Sequence, residues 1–157
     1  MALVMTTSFL VTSASAFETY PADELVVLAA EVETETHERN KAPLEEFTIS
    51  QGFWVLHPAI DLSAPQGTPV YSIEAGKVTQ TEFSYWGYGN QVVVDHANGL
   101  QSRYAHLSRI TVQEGQEINQ GTVIGLVGAT GLATGNHLHL EIIDQGQLIN
   151  PQTFLDL

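Results

Sequence analysis

The chain has 157 residues, of which 43% are hydrophobic and 15% are charged, and its formal net charge is −13. These values predict one folded domain with a short appendage. With only five Lys and Arg residues, a basic surface for nucleic acid or for an anionic membrane is excluded. The absence of cysteine excludes disulfides, thiolate metal ligands and a cysteine nucleophile.

Residues 1–16 have features of a secretory signal peptide. MALVMTTSFLVTSASA is largely apolar and ends in Ala14-Ser15-Ala16, the small-residue pattern of a signal cleavage site. No Lys or Arg precedes the apolar run, so a terminal segment without this role is the alternative. The run is too short to span a membrane. A signal peptide predicts an extracytoplasmic protein, located in the periplasm, in the cell envelope or outside the cell.

Residues 17–46 are predicted to form an acidic helical arm or linker. Pro21 suits the first turn of a helix, Asp23 lies near its positive end, and Arg39 lies near its negative end. Nothing in this segment indicates chemistry, so we expect it to serve as a spacer.

Residues 47–157 are predicted to form an all-β domain. Short runs rich in β-branched and aromatic residues alternate here with glycine-containing turns, and little helical periodicity separates them. This spacing favours mostly antiparallel strands. The predicted strands are PVYSI (69–73), KVTQTEF (77–83), QVVVDH (91–96), LQSRYAHL (100–107), TVIGLVG (122–128) and HLHLEII (137–143).

The last of these runs contains two histidines in an otherwise apolar strand. Residues two apart in a strand project from the same face, so His137 and His139 point together while Leu138 and Leu140 point to the other side. Neutral imidazole is a common zinc ligand. An isolated H-x-H is a weak signal, however, because two surface histidines would produce the same pattern.

Further residues strengthen the case for a metal site. HPAIDL places His57 and Asp61 four residues apart, which supplies one nitrogen and one oxygen donor. RYAHLS places His106 on another strand, and we expect Tyr104 to share its face. His96 lies at a strand end before a turn and is interpreted as structural.

These five candidate groups are more than one zinc ion needs. A catalytic zinc takes three protein ligands and keeps an open position for water, whose pKa it lowers to about 7. Two surplus imidazoles could then accept a proton or stabilise an oxyanion. This surplus suits a hydrolase better than a structural zinc site.

The order of the motifs resembles the LytM/lysostaphin-type zinc metalloendopeptidases, which are peptidoglycan hydrolases with a duplicated hybrid motif. The resemblance covers about residues 50–154. It implies a β-barrel-like fold in which an antiparallel sheet forms the floor of a groove walled by loops. It rests on HPAIDLSAPQGTPV, AGKV, WGYGNQVVVDHANGLQSRYAHLS, VQEGQEINQGTVIGLVGATGLATGNHLHLEI and INP. Ala59, Asn136 and Leu140 stand where Gly, Pro and Phe are common in the family, but none of these changes removes a ligand.

The resemblance also implies roles for individual residues. His57, Asp61 and His139 would bind one zinc ion, while His106 and His137 would act on water and substrate. The loop FSYWGYGN (83–90) would form an aromatic wall of the groove. We expect substrate contacts from Tyr85, Trp86, Tyr88, Asn90 and Tyr104.

The implied function is hydrolysis of peptide bonds in peptidoglycan stem peptides or cross-bridges by a monomer. The alternative is a catalytically weak regulator that activates cell-wall amidases; such relatives lack part of the constellation, whereas all five residues are present here. A biotin or lipoate carrier is disfavoured because neither Lys41 nor Lys77 has the sequence context of a cofactor-bearing lysine. Whether glycine bridges or D-Ala-to-diaminopimelate links are cut stays open at this stage.

Overall fold

The computed structural model describes residues 40–157, which form thirteen strands and one four-residue α-helix. The helix, α1, spans Pro151–Phe154, and within the described residues no helix has the length and apolar character needed to cross a bilayer. In chain order the strands are β1 (Asn40–Lys41), β2 (Thr48–Gln51), β3 (Ile60–Ser63), β4 (Pro69–Tyr71), β5 (Gly76–Glu82), β6 (Gln91–Asp95), β7 (Leu100–Ala105), β8 (Arg109–Ile110), β9 (Glu117–Ile118), β10 (Val123–Leu126), β11 (His137–Asp144), β12 (Gln147–Ile149) and β13 (Leu155–Asp156).

Most of these strands belong to one antiparallel sheet with the order β2-β3-β11-β7-β6-β5-β9, in which β12 also pairs with β11. A three-stranded sheet, β4-β10-β8, and the short parallel pair β1-β13 complete the pairing. The predicted all-β, mostly antiparallel fold is therefore confirmed. The predicted runs agree with β4, β5, β6, β7, β10 and β11, apart from differences of up to two residues at their ends.

Side-chain alternation along β11 divides the main sheet into a core face and an outer face. Leu138, Leu140 and Ile142 are fully buried, whereas His137 and His139 project from the opposite face and are partly exposed. The buried face belongs to a hydrophobic cluster that includes residues of both larger sheets. The apolar residues of β11 therefore hold the strand in place, and its histidines remain free for chemistry.

The predicted arm extended to residue 46, but residues 40–46 belong to the β domain. β1 pairs with β13, and Leu44 is 2% exposed within the hydrophobic core. The sequence did not predict this, because a two-residue strand such as β1 is too short to show an alternating pattern of apolar and polar residues. The rest of the predicted arm and the predicted signal peptide lie outside the described residues.

Gly128 allows close contact between the end of β10 and the residues after β7. A Cβ atom at this position would collide with the backbone nitrogen of Ser108 and would lie 2.8 Å from the carbonyl oxygen of His106. Gly128 also forms a β-bridge with His137. The residue therefore lets the backbone at His106 and the backbone at His137 approach each other.

We expect Gly128→Ala to lower the free energy of unfolding by about 1–3 kcal/mol, because the added methyl group has no room beside the backbone. Urea denaturation monitored by circular dichroism would measure this change. Gly135→Ala is the matched control, since a Cβ there meets no atom within 4 Å and should have little effect. Equal stability of the two variants would contradict the packing argument.

Candidate active site

Four histidines and one aspartate meet in a cleft of about 360 Å³. His137 and His139 extend from β11, Asp61 from β3, and His57 from the loop that precedes β3. His106 follows β7 directly. The structure thus brings together all five residues that the sequence analysis selected for metal binding and catalysis.

Asp61 lies at the centre of this cluster. Its Oδ1 atom is 2.9 Å from His139 Nδ1, 3.2 Å from His57 Nε2 and 3.8 Å from His137 Nε2. Burial pushes the pKa of Asp61 upward, but the hydrogen bond to His139 and the charges of the neighbouring imidazoles outweigh this and bring the pKa below 3.8. The carboxylate is therefore ionised at neutral pH.

His57, Asp61 and His139 form a donor set that suits a zinc ion. One ligand atom from each residue lies within 4.8 Å of the others. Tetrahedral zinc with bonds of about 2.0–2.1 Å holds neighbouring ligand atoms about 3.3 Å apart, close to the two distances from Asp61 to His57 and to His139. Two nitrogens and one carboxylate oxygen are the ligand types that catalytic zinc sites use.

Backbone carbonyl groups orient three of the four rings. The Nδ1 atoms of His57, His106 and His137 lie 3.1, 2.8 and 2.9 Å from the carbonyl oxygens of Gly52, Thr130 and Gly135. A ring whose Nδ1–H donates to a carbonyl keeps its Nε2 lone pair for a metal or a proton. His139 is different, because its Nδ1 atom faces Asp61.

His106 has an unusual backbone conformation that turns its side chain into the cleft. Its φ of 61° lies in the left-handed region, and its N–H donates to the carbonyl oxygen of Tyr88 over 2.8 Å. The ring centroid is 4.8 Å from that of His137. Burial lowers the pKa of His106, although the Thr130 carbonyl opposes this effect. A neutral imidazole next to the donor set can accept a proton.

The sequence predicted a regular strand through His106, with Tyr104 and His106 on the same face. This prediction is wrong. β7 ends at Ala105, and the left-handed backbone at the next residue points the imidazole away from the core. Tyr104, predicted as a substrate contact on the same face, is fully buried in the core instead. Its hydroxyl accepts a hydrogen bond from the backbone N–H of Ile73 over 3.0 Å. Tyr104 thus stabilises the core and cannot touch substrate.

Two glycines let the aromatic loop and the loop before β11 interlock. Gly89 and Gly131 have φ values of 64° and 72°, and a Cβ on either would collide with the backbone of the opposite loop. The Thr130 hydroxyl joins both loops to the chain after β7, because it accepts from Asn90 N and donates to the carbonyl oxygen of Leu107. These contacts fix the position of the Thr130 carbonyl group, which accepts the hydrogen bond from the His106 ring.

The residues predicted to form an aromatic wall lie at different places on the surface. Tyr88 lines the histidine cleft, whereas Tyr85 and Asn90 line a separate recess of about 250 Å³. Trp86 is 77% exposed at the tip of the loop. Another element, not predicted from the sequence, is the exposed apolar stretch Trp54 to Leu56, which directly precedes His57.

Sequence reasoning also missed Glu141. This carboxylate is 3% exposed and lies 3.4 Å from His139 Nε2. Burial alone would lower the pKa of His139, but hydrogen bonds to Asp61 and Glu141 raise it from 6.5 to about 8. The signal was present in HLHLEI, since a residue two positions after His139 projects from the same strand face.

His96 lies outside the cleft and supports the core, as its position in the sequence indicated. Its Nε2 atom is 2.7 Å from the buried Ser102 hydroxyl, and its Nδ1 atom is 3.0 Å from the carbonyl oxygen of Ala75. Ser102 in turn donates to the Tyr104 hydroxyl. Both ring nitrogens therefore have structural partners.

Comparison with known proteins identifies the family of this chain. Residues 55–151 match the model of peptidase family M23. This chain belongs to that family. The M23 assignment confirms the predicted relationship to the zinc metalloendopeptidases. Among solved structures, lysostaphin from Staphylococcus simulans is 30% identical with a TM-score of 0.63, over 76% of this chain and 53% of lysostaphin.

Other M23 relatives are more similar in sequence. The DD-carboxypeptidase/endopeptidase Mpg of Neisseria meningitidis is 49% identical over 98 residues, and the peptidoglycan DD-endopeptidase ShyA of Vibrio cholerae is 45% identical over 94 residues. These alignments cover 62% and 60% of this chain. The chain spans about a fifth of the length of either relative, 22% in both cases. A zinc-containing peptidase from Vibrio cholerae has a TM-score of 0.67 at 32% identity, over 73% of this chain and 39% of that one.

Zinc should stabilise the folded M23 domain, because the three donors come from two strands and a loop that unfolding would separate. At a free zinc concentration 100 times its dissociation constant, the expected gain is about 2.7 kcal/mol. Thermal unfolding with zinc and with excess chelator would measure it. His139→Ala should remove the zinc-dependent shift, and an unchanged shift in this variant would contradict the donor assignment.

Proposed function

We propose that this M23 domain is a zinc-dependent endopeptidase that hydrolyses peptide bonds in peptidoglycan stem peptides or cross-bridges. The main support is that a donor set suited to zinc and two further imidazoles lie together in one open cleft. The names of Mpg and ShyA favour DD-peptide bonds as the substrate class. A substrate in the cell wall implies an extracytoplasmic location, which agrees with the signal peptide predicted from residues 1–16.

His57 Nε2, Asp61 Oδ1 and His139 Nδ1 would hold the ion. Bound zinc supplies Lewis-acid activation of water and of the scissile carbonyl group at neutral pH. Asp61 is ionised, and its Oδ1 atom lies within 3.2 Å of a ring nitrogen of each ligand histidine, so its charge would offset part of the charge of the cation. The Gly52 carbonyl fixes the His57 ring in the orientation that this role requires.

His106 and His137 would transfer protons and stabilise negative charge on the substrate. Each ring donates its Nδ1–H to a backbone carbonyl, which leaves Nε2 free to receive a proton. Their centroids lie 4.8 Å apart, so a scissile peptide group in the cleft could contact both rings. After accepting a proton, either imidazolium could donate a hydrogen bond to the oxyanion or protonate the leaving amine.

The main test is mass spectrometry of the fragments that the purified protein releases from sacculi of different chemotypes. Release of DD-cleaved fragments in the presence of zinc, and its loss with chelator, is the expected result. A protein that binds zinc and activates a separate amidase, but releases no fragments itself, would instead have the regulatory function considered from the sequence. The released fragments also identify the bond that is cut.

We expect His106→Ala to lower turnover by about 100- to 10,000-fold while zinc is retained, because a proton acceptor is lost and the donor set is unchanged. His139→Ala should abolish both zinc binding and cleavage. Zinc content by mass spectrometry and fragment release under saturating sacculi would measure the two effects.

His96→Ala is the matched imidazole control, since this ring lies outside the cleft. It should retain zinc and cleavage when assayed well below its unfolding temperature. Full activity in His139→Ala would disprove the proposed zinc ligand, and full activity in His106→Ala would disprove the proposed proton acceptor.

A further inference from the structure

Glu141 is a buried carboxylate on the strand face that bears the cleft histidines. It follows His139 by two residues in β11, so both side chains project from the outer face of the sheet. Only 3% of the residue is exposed. A buried charge of this kind is costly unless it is paired and hydrogen-bonded, so its partners indicate what it does.

Three donors surround the Glu141 carboxylate. Tyr88 donates its hydroxyl to Oε1 over 2.7 Å, and Arg103 donates Nη1–H to Oε2 over 2.8 Å. The third group is His139 Nε2, 3.4 Å from Oε1. The Arg103 guanidinium also lies over the Tyr88 ring, 4.6 Å from its centroid. Tyr88 and Arg103, which are not among the proposed metal donors, therefore hold the carboxylate in place beside the His139 ring.

His139 needs an orienting group of this kind more than the other histidines do. Backbone carbonyls accept the Nδ1–H of His57, His106 and His137, and all three rings thereby present Nε2 to the cleft. His139 presents Nδ1 to Asp61 instead, so its Nε2–H requires an acceptor on the far side of the ring. Glu141 is the group at that position.

We propose that Glu141 is a positioning residue that holds the His139 ring with Nδ1 directed at the metal. The proposal rests on the proposed function, in which His139 is a zinc ligand. A carboxylate that accepts the second N–H of a metal-bound imidazole fixes the ring orientation and makes the ligand nitrogen more basic. The polar partners of Glu141 are Tyr88, Arg103 and His139, and of these only His139 is a proposed metal donor, so its effect acts through His139.

The test is the zinc dissociation constant of the folded protein, measured by competition with a chromophoric chelator. We expect Glu141→Gln to weaken zinc binding by about 10- to 100-fold, the usual effect of losing an outer partner of a metal ligand. A glutamine has one acceptor oxygen in place of two. Arg103 would take that oxygen, because bonds from a charged donor are the stronger ones, and the amide NH₂ group would then face His139.

Glu82→Gln is the matched control. Glu82 lies on β5 in the same sheet, and its carboxylate accepts from the amide groups of Gln91 and Gln80 rather than from a histidine. If only a carboxylate bonded to the imidazole affects zinc binding, Glu82→Gln should change the zinc dissociation constant by no more than about twofold from the wild-type value. A similar loss in both variants would overturn the proposal, since it would reflect general loss of charge.

Circular dichroism of the metal-free variants separates positioning from stability. A Glu141→Gln protein that unfolds at a lower temperature but binds zinc as tightly as the wild type would show that Glu141 only stabilises the fold, and the proposal would be wrong. If that variant does not fold, Glu141→Asp keeps the negative charge but shortens the side chain, which moves the carboxylate away from His139, and the same weakening is expected. Failure of the wild-type protein to bind zinc would instead overturn the proposed function.

Discussion

The pairing of β3 with β11 is the constraint on which the rest of the site depends. Asp61 is the direct neighbour of His139 across this antiparallel ladder, although the two residues are 78 positions apart in the chain. Neighbouring residues on one face of such a ladder are close enough for their side chains to contact each other. The carboxylate and the imidazole therefore meet because of backbone hydrogen bonding, before any metal contributes. The third donor, His57, needs only a short loop at the start of β3 to reach them.

The other side of β11 completes the arrangement. His139 is also paired with Ala105, the last residue of β7, so the residue after it enters the cleft next to the donor set. The left-handed backbone at His106 then aims the ring, and the interlocked glycine loops hold the carbonyl that binds it. The ladder supplies Asp61 and His139 of the proposed metal donors, a loop supplies His57, and the interlocked loops orient the His106 imidazole.

Much of this could be predicted from the sequence because strands and turns leave local signals. The two-residue period of HLHLEI predicted which side chains share a face, and the motif order indicated the family. The position of Tyr104 was not predictable, since alternation counted back from His106 assumes a regular strand and the positive φ at His106 breaks it. Glu141 was missed for a different reason. HLHLEI shows that Glu141 shares a strand face with His139, but the Tyr88 and Arg103 side chains that hold its carboxylate come from other parts of the chain.

The division of β11 into a packed face and a reactive face restricts how the chain can change. Leu138, Leu140 and Ile142 fill the interior, while His137, His139 and Glu141 alternate with them. An insertion or deletion of one residue within this strand would exchange the two sets, placing imidazoles in a dry interior and leucines beside the metal donors. A change of length within β11 would therefore disrupt the hydrophobic core and the histidine cleft together.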